Sequence, residues 1–353
     1  MAGRIVGHRY RLEAPLGRGG MATVWRGTDL DAGRPVAVKV LDGPRAAQPA
    51  ALDRLRREAQ TVSRLDHPNI VAGYEFGVDG DAGYLAMELV DGRSLADLLS
   101  GEGRLRVEQA IDIAAQVCAA LAAAHGAGVI HRDIKPGNLI ITDSGGVKVC
   151  DFGIARLQTR DTQAALTGSS AAVGTCEYMA PEQATGDAVD ARTDLYSLGC
   201  VLYAMLTGRP PFLGDNPMAV LHQHLHEPPV PVGTVRADVP PSLDQLITRL
   251  VAKDPADRPA SAAQVHHQLT EIRDAATAGT TTPGPVLTAA PAPTAPAAPP
   301  VAANPAGLPS TMAATGASWP ARWIWSQQWW LILASAAAVL ATVLTVAVVL
   351  ASR

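Results

Sequence analysis

The sequence predicts an α+β protein with two lobes, a β-rich first third and a helical remainder, followed by a membrane-spanning helix. Three observations support this prediction. Short alternating segments broken by glycine occupy the region before residue 90, apolar residues at helical spacing dominate from 94 to 273, and a long uncharged run comes last. The 353 residues are enough for one large domain or two small ones.

Charge is distributed very unevenly along the chain. There are 29 basic and 33 acidic residues, and only Arg322 and Arg353 lie beyond residue 274. The part before residue 275 is therefore clearly acidic, which argues against a nucleic-acid partner. The four cysteines are far apart and lack metal-type spacing, so they are expected to be reduced, mostly buried thiols.

The first third of the chain predicts an antiparallel sheet with one helix. Alternation favours strands over 11–16, 22–28, 35–41, 70–76 and 84–89. Residues 51–65 carry apolar side chains at helical spacing with charges between them, which predicts a helix. Lys39 lies inside an apolar strand, where an amine needs a carboxylate partner, and Glu58 on the helix is the natural candidate. Taken alone, Lys39 could also be a surface residue at the edge of the sheet.

The remainder predicts mainly helices. The alanine-rich segment 107–125 is apolar almost all round, which indicates a buried core helix. Further helices are predicted over 193–206, 243–250 and 262–273, and short strands over 129–130 and 139–142.

The last part of the chain predicts a linker and an anchor. Residues 273–322 are rich in Ala, Pro and Thr, and such a composition buries too little apolar surface to offset the entropy of ordering. Residues 329–351 predict a transmembrane helix, since their apolar run is long enough to cross about 30 Å of hydrocarbon. Four tryptophans at one end fit an interfacial belt. Only residues 352–353 follow, so we expect a short tail and no outer sensor domain.

A glycine-rich turn is the first candidate for chemistry. Gly17, Gly19 and Gly20 lie between two predicted strands, where backbone N–H groups can approach phosphates closely because no Cβ intervenes. A strand follows this turn instead of a helix, which argues against a dinucleotide-binding fold or a P-loop. Taken alone, the turn could be only a hairpin connection.

Two polar loops follow farther along the chain. Asp133, Lys135 and Asn138 are crowded into six positions, and Asp151 comes directly after an apolar run. Oxygen donors such as Asn138 and Asp151 on neighbouring loops suit Mg²⁺, which is a hard cation.

Four motifs together resemble, in their order and spacing, the signature of the protein kinase family. They are the glycine-rich turn, Val36-Ala37-Val38-Lys39, the loop 131–139 and Asp151-Phe152-Gly153. The resemblance covers residues 10–272 and implies a bilobal protein kinase domain over that range. Lys135, two residues after Asp133, is typical of serine/threonine kinases. The arrangement of domain, linker and helix is similar to that of actinobacterial-type, membrane-anchored serine/threonine kinases.

The resemblance also implies the roles of individual residues. Lys39 would hold the ATP phosphates and Glu58 would orient it. Asp133 would accept the proton of the substrate hydroxyl, Lys135 would contact the transferring phosphate, and Asn138 and Asp151 would bind Mg²⁺, with Mn²⁺ as an alternative. The complete ATP site implied by the resemblance comprises Leu16, Gly17, Arg18, Gly19, Gly20, Met21, Ala22, Thr23, Val24, Ala37, Lys39, Glu58, Met87, Glu88, Val90 and Ile140.

Regulation and location are implied in the same way. Thr167 and Ser169 would be autophosphorylation sites, and Thr175 would lie near Asp133 on the segment that receives protein substrates. We expect a single-pass protein of the cell membrane with its kinase domain in the cytoplasm and its C-terminus outside. A homodimer would serve phosphorylation in trans. The alternative is a catalytically inactive kinase fold that acts as a membrane scaffold.

The resemblance finally implies three structural contacts. His131 would pack on Phe152 and have no part in a proton relay. Glu182 would pair with Arg258 inside the larger lobe, and Asp194 would brace the loop that carries Asp133.

Overall fold

The computed structural model describes residues 2–18, 22–41, 49–80, 82–152 and 176–279. Contacts divide the chain into two units, Met1–Val286 and Leu287–Arg353, and every described residue belongs to the first. The predicted transmembrane helix and most of the predicted linker lie outside the described residues, as do Gly19, Gly20, Met21, Thr167, Ser169 and Thr175.

The smaller lobe is an antiparallel sheet with one helix, α1 (Pro49–Val62), packed on it. The strands follow the order β1-β2-β3-β4-β6-β5, and each neighbouring pair is antiparallel. Their bounds are β1 Ile5–Val6, β2 Tyr10–Arg18, β3 Thr23–Asp29, β4 Arg34–Leu41, β5 Gly73–Asp79 and β6 Ala82–Glu88.

Alternation along β4 decides which way Lys39 points. Val36, Val38 and Val40 belong to an apolar cluster on one face of the sheet, whereas Ala37 and Leu41 belong to the cluster that includes α1. Because successive side chains of a strand face opposite sides, Lys39 shares the α1 face with Ala37 and Leu41.

The larger lobe is helical, with a small antiparallel sheet of order β7-β8-β9. That sheet comprises β7 Gly92–Ser94, β8 Leu139–Thr142 and β9 Val147–Val149. The helices are α2 Leu95–Glu102, α3 Val107–Gly126, α4 Pro181–Thr185, α5 Ala191–Thr207, α6 Pro217–His226, α7 Val232–Val235, α8 Pro241–Leu250 and α9 Ala262–Gly279.

The core of this lobe surrounds α3, which packs against α5 and α9. Of the described helices, α3 alone is long and apolar enough to cross a membrane. Its apolar residues are mostly buried among the other helices, and this burial accounts for its composition. The α+β, two-lobed prediction is confirmed.

Three details of the sequence prediction are wrong. Residues 129–130 form no strand, because the N–H of Val129 donates to the carbonyl of Ala124 in the last turn of α3 at 2.9 Å. The next two N–H groups, of His131 and Arg132, donate to the carboxylate of Asp194. The strand expected from residue 70 begins at Gly73, although Ile70 forms a single bridge with Val149. Helix α9 continues to Gly279, so residues 273–279 belong to a helix and not to a linker, in keeping with their three alanines.

Gly199 allows α5 to approach the end of α8 closely. A Cβ at this position would lie 2.7 Å from the Cβ of Leu250 and 2.8 Å from a methyl group of Val251. We expect Gly199→Ala to lower the free energy of unfolding by about 1–3 kcal/mol, because both neighbours lie in a packed core.

Urea unfolding of the Gly199→Ala variant checks this prediction, with Gly101→Ala as the matched control. Gly101 lies in α2 with no atom within 4 Å of a built Cβ, so alanine there should raise stability by up to about 1 kcal/mol. Equal effects of the two variants would contradict the packing argument.

Candidate active site

The glycine-rich turn joins β2 and β3. Arg18 is the last residue of β2 and pairs with Thr23, and Gly17 pairs with Val24. The register shifts between Pro15 and Gly17, just before these last two pairs. Ala22 is buried on the α1 face of the sheet, whereas Leu16 is exposed. These predicted site residues therefore lie together at one end of the hairpin.

Lys39 is held between two carboxylates. Its Nζ lies 2.7 Å and 3.0 Å from the two carboxylate oxygens of Glu58 and 3.0 Å from Oδ1 of Asp151. The predicted partnership of Lys39 with Glu58 is present, and Asp151, which is 112 residues farther along the chain, completes the cluster.

The electrostatics of this cluster favour an additional cation. Burial alone would lower the pKa of Lys39, but the charges of Glu58 and Asp151 outweigh it and raise this pKa above its ordinary value. Burial raises the pKa of Glu58 against the attraction of Lys39, and Asp151 adds to the rise. The pKa of Asp151 shifts in the opposite direction, because the attraction of Lys39 outweighs the effect of burial and lowers it. The cluster thus sets one ammonium against two carboxylates, and this excess of carboxylates favours a further cation.

Asp133 is the centre of the second polar cluster. Its Oδ2 accepts hydrogen bonds from Nζ of Lys135 at 2.8 Å and from the amide nitrogen of Asn138 at 3.1 Å. The same amide nitrogen donates to the backbone carbonyl of Asp133 at 2.8 Å. Because the nitrogen of Asn138 faces Asp133, its amide oxygen is the atom available to a metal.

Asn138 and Asp151 fit a hard divalent cation by the chemistry of their oxygen donors. The described part of the chain contains no cluster of three or more His, Cys, Asp or Glu residues that could hold a metal. Mg²⁺ keeps several waters and binds through one or two protein groups together with substrate phosphates, so two such donors are enough for it.

The loop that carries Asp133 is bound through its backbone to the side chain of Asp194. The side chain of Asp194 is fully buried on α5 and accepts the N–H groups of His131 at 2.8 Å and Arg132 at 2.7 Å. Its Oδ2 also lies 2.7 Å from Nε2 of His125 on α3. The bracing role predicted for Asp194 is therefore present in the contacts.

His131 has a packing role. Its ring centroid lies 4.6 Å from that of Phe152. Nδ1 accepts the backbone N–H of Asp133 at 3.2 Å, and Nε2 lies 3.0 Å from the carbonyl oxygen of Cys150. This pattern requires a neutral ring that carries its proton on Nε2, which is unsuited to relaying a proton to Asp133.

The apolar residues of the expected ATP site come from both lobes. Ala37 and Met87 are buried cross-strand partners on β4 and β6. Val24 and Val90 pack against the same apolar cluster. Ile140 lies on β8 of the larger lobe, opposite Ser94 of β7 and Lys148 of β9.

Glu88 has a contact that sequence reasoning missed. Its carboxylate lies 2.7 Å from Nζ of Lys148 and accepts the backbone N–H of Ala72 at 3.1 Å. The chain has only four lysines, and the rarity of Lys148 is the one signal that could have singled it out. The pair ties the end of β6 to β9, the strand that leads to Asp151.

The segment after Thr175 is anchored to helix α6. Cys176 and Met179 are buried against Val220 and Leu221. The side chain of Ser197 on α5 donates to the carbonyl of Tyr178 at 2.8 Å. The larger lobe therefore supports this segment from two helices.

His224 on α6 gives the larger lobe a pH-dependent stability. The side chain is buried, and its Nδ1 lies 2.8 Å from the hydroxyl of Tyr196. Burial, with the charge of Lys253, lowers its pKa to about 3. In the unfolded chain the histidine takes a proton below pH ~6.5, whereas the folded protein does not, so the free energy of unfolding should fall as pH drops from that value towards 3.

Urea unfolding between pH 7.5 and 5 checks this prediction. His224→Asn keeps an acceptor for Tyr196 but cannot titrate, so its stability should change less with pH than that of the wild type. His222→Asn, an exposed neighbour on the same helix, should keep the wild-type slope. Parallel slopes for His224→Asn and the wild type would contradict the assignment.

Comparisons with known proteins agree with this geometry. Residues 10–270 match the family described as protein kinase domain. The chain is 46% identical over 270 residues to serine/threonine-protein kinase PknB of Mycolicibacterium smegmatis, a match that covers 75% of this chain and 43% of that protein. It is 45% identical over 269 residues to probable serine/threonine-protein kinase PknB of Corynebacterium glutamicum, a match that covers 74% and 42%.

A solved structure is similar over the same region. The PknI kinase domain of Mycobacterium tuberculosis superposes with a TM-score of 0.62 at 27% identity, covering 77% of this chain and 99% of that one. The chain spans less than half the length of the two curated relatives that it matches.

Proposed function

The chain belongs to the protein kinase family, and from this membership we propose that it is a serine/threonine kinase that transfers the γ-phosphoryl group of ATP to protein hydroxyls. Members of the family use ATP and a divalent metal and act on proteins. The observation that carries the proposal is the ammonium of Lys39 within 3.0 Å of both Glu58 and Asp151.

The residues near the nucleotide bind and orient it. The β2–β3 hairpin would cover the phosphates, and Lys39, positioned by Glu58, would pair with them. Asp151 and the amide oxygen of Asn138 would hold Mg²⁺. When bound, Mg²⁺ supplies positive charge that stabilises the transferring phosphoryl group.

Asp133 acts on the acceptor. Its carboxylate accepts the proton of the substrate hydroxyl, and the hydrogen bonds from Lys135 and Asn138 fix its orientation. Lys135 also provides a positive charge beside the transferring group. Thr175, next to the anchored residue Cys176, contributes to the platform for the substrate.

Regulation and location extend this proposal. We propose that Thr167 and Ser169 are autophosphorylated, in trans within a homodimer. The chain would be held at the cell membrane by residues 329–351, with the kinase domain cytoplasmic and the C-terminus outside, and would transmit signals there. The support is the position of Thr167 and Ser169, eight and six residues before Thr175, and the apolar run with its tryptophans.

The alternative is an inactive kinase fold that serves as a scaffold. A scaffold has no need for Lys39, Glu58, Asp133, Asn138 and Asp151 in hydrogen-bonded clusters, and all five are present in such clusters. This arrangement favours the active enzyme.

Labelling with radioactive ATP tests the function. The full chain, incubated with Mg²⁺ and a generic basic protein, should incorporate phosphate on serine and threonine, and phosphosite mapping should identify Thr167 and Ser169. An Asp133→Asn variant purified in the same way is the blank. Equal labelling of the wild type and the blank would refute the proposal.

A further inference from the structure

Gln183 on α4 connects two parts of the site that are far apart in sequence. Its Nε2 donates to the backbone carbonyl of Arg132 at 2.8 Å, and its Oε1 accepts the backbone N–H of Ala180 at 3.1 Å. One half-buried amide therefore joins the residue before Asp133 to the end of the segment that begins at Cys176.

Arg132 needs such support because its backbone is strained. Its φ of +66° lies in the left-handed region, which costs a residue with a Cβ about 1–2 kcal/mol. The N–H of Arg132 donates to Asp194, and its carbonyl accepts from Gln183. Side chains thus hold both polar groups of this backbone unit, and the direction of that carbonyl fixes the peptide that leads into Asp133.

We propose that Gln183 is a positioning residue for phosphoryl transfer. It orients the Arg132–Asp133 peptide and so fixes the position of the Asp133 carboxylate relative to the segment that receives the substrate. The inference rests on the proposed kinase function. Gln183 does not touch the reacting atoms and acts through Asp133.

Helix capping is the competing role for Gln183. A residue three positions after the N-cap often accepts the N-cap N–H, and glutamate does this as well as glutamine. Capping uses only Oε1, whereas the contact with Arg132 requires the N–H of the amide. Gln183→Glu separates the two roles, because a carboxylate can accept from Ala180 but cannot donate to a carbonyl.

The experiment compares the full-length wild type with Gln183→Glu, Gln183→Met and Thr185→Ala. Thr185 lies on the same helix and, among the described residues, donates within that helix and to Asp187, so its variant is the matched control. We expect both Gln183 variants to lower kcat by about tenfold or more, since small displacements of a catalytic group are costly. KM for ATP should stay within about twofold of the wild-type value, because Gln183 is not among the residues assigned to ATP binding.

Hydrogen exchange provides a readout that does not depend on activity. Amides 131–135 should exchange faster in Gln183→Glu than in the wild type and Thr185→Ala, while thermal midpoints of Gln183→Glu and the wild type agree. A merely structural role would lower the thermal midpoint without this local change.

Two results would overturn the inference. One is wild-type kcat and exchange in Gln183→Glu, which would leave Gln183 as a capping residue only. The other is an effect on KM for ATP with kcat unchanged. A wild-type protein that transfers no phosphate would refute the proposed function instead, and the exchange data would still decide whether Gln183 orders the loop.

Discussion

Asp133→Asn is expected to lower kcat by about 10²–10⁴-fold, the usual contribution of general acid–base catalysis. Asparagine is almost the same shape as aspartate but cannot take a proton at neutral pH. It also removes the negative charge that Lys135 contacts at 2.8 Å. The hydrogen bonds described for Asp133 involve none of Lys39, Glu58 and Asp151, so ATP should bind with nearly unchanged affinity.

Initial rates at saturating ATP, together with nucleotide titration, check this expectation. Asp143→Asn is the matched control, because the same substitution then falls on an exposed turn between β8 and β9. A loss of kcat of less than about tenfold in Asp133→Asn would contradict this role. It would mean that the substrate hydroxyl loses its proton after phosphoryl transfer, or to a group other than Asp133.

Arg258→Met is expected to have the largest effect on stability. Arg258 and Glu182 form a bidentate pair with distances of 2.7 Å and 2.9 Å, and their side chains are 0% and 5% exposed. The remaining guanidinium N–H groups donate to the carbonyls of Ala252, Arg192 and Lys253. Removal of the cation leaves a buried carboxylate without its partner, at a cost of about 3–5 kcal/mol.

Urea unfolding at pH 7 measures this cost. Arg249→Met is the control, since Arg249 is exposed on α8 and its loss should change stability by less than about 0.5 kcal/mol. The double variant Glu182→Gln/Arg258→Met should recover part of the loss because no charge remains buried. A double variant as unstable as the sum of its parts would show that the carbonyl contacts matter more than the ion pair.

Contacts of the polar clusters could be predicted from the sequence where a buried charge requires a partner. A lysine inside an apolar strand demands a carboxylate, and the structure pairs Lys39 with Glu58. The order of the motifs indicated the family that residues 10–270 match. The contacts of His131 with Phe152, Glu182 with Arg258 and Asp194 with the loop followed from the same resemblance.

Contacts made by single amides and carbonyls could not be predicted. Gln183 meets Arg132 across 51 positions, and Asn69 donates to the carbonyl of Val147 across 78. Such bonds leave no periodicity or composition signal, because one side chain meets one backbone group. The strand prediction at 129–130 was wrong for a related reason, since an apolar pair gives no hint that the N–H of Val129 donates to a single carbonyl, that of Ala124 in α3.

Asp194 has a consequence for how the protein fails on heating. This carboxylate belongs to a helix that runs through the core of the larger lobe, and it holds the loop that carries Asp133. The loop therefore belongs to the same cooperative unit as the core and does not open as an independent segment. Inactivation on heating should accordingly follow global melting, with no earlier phase in which a folded protein has lost its active site.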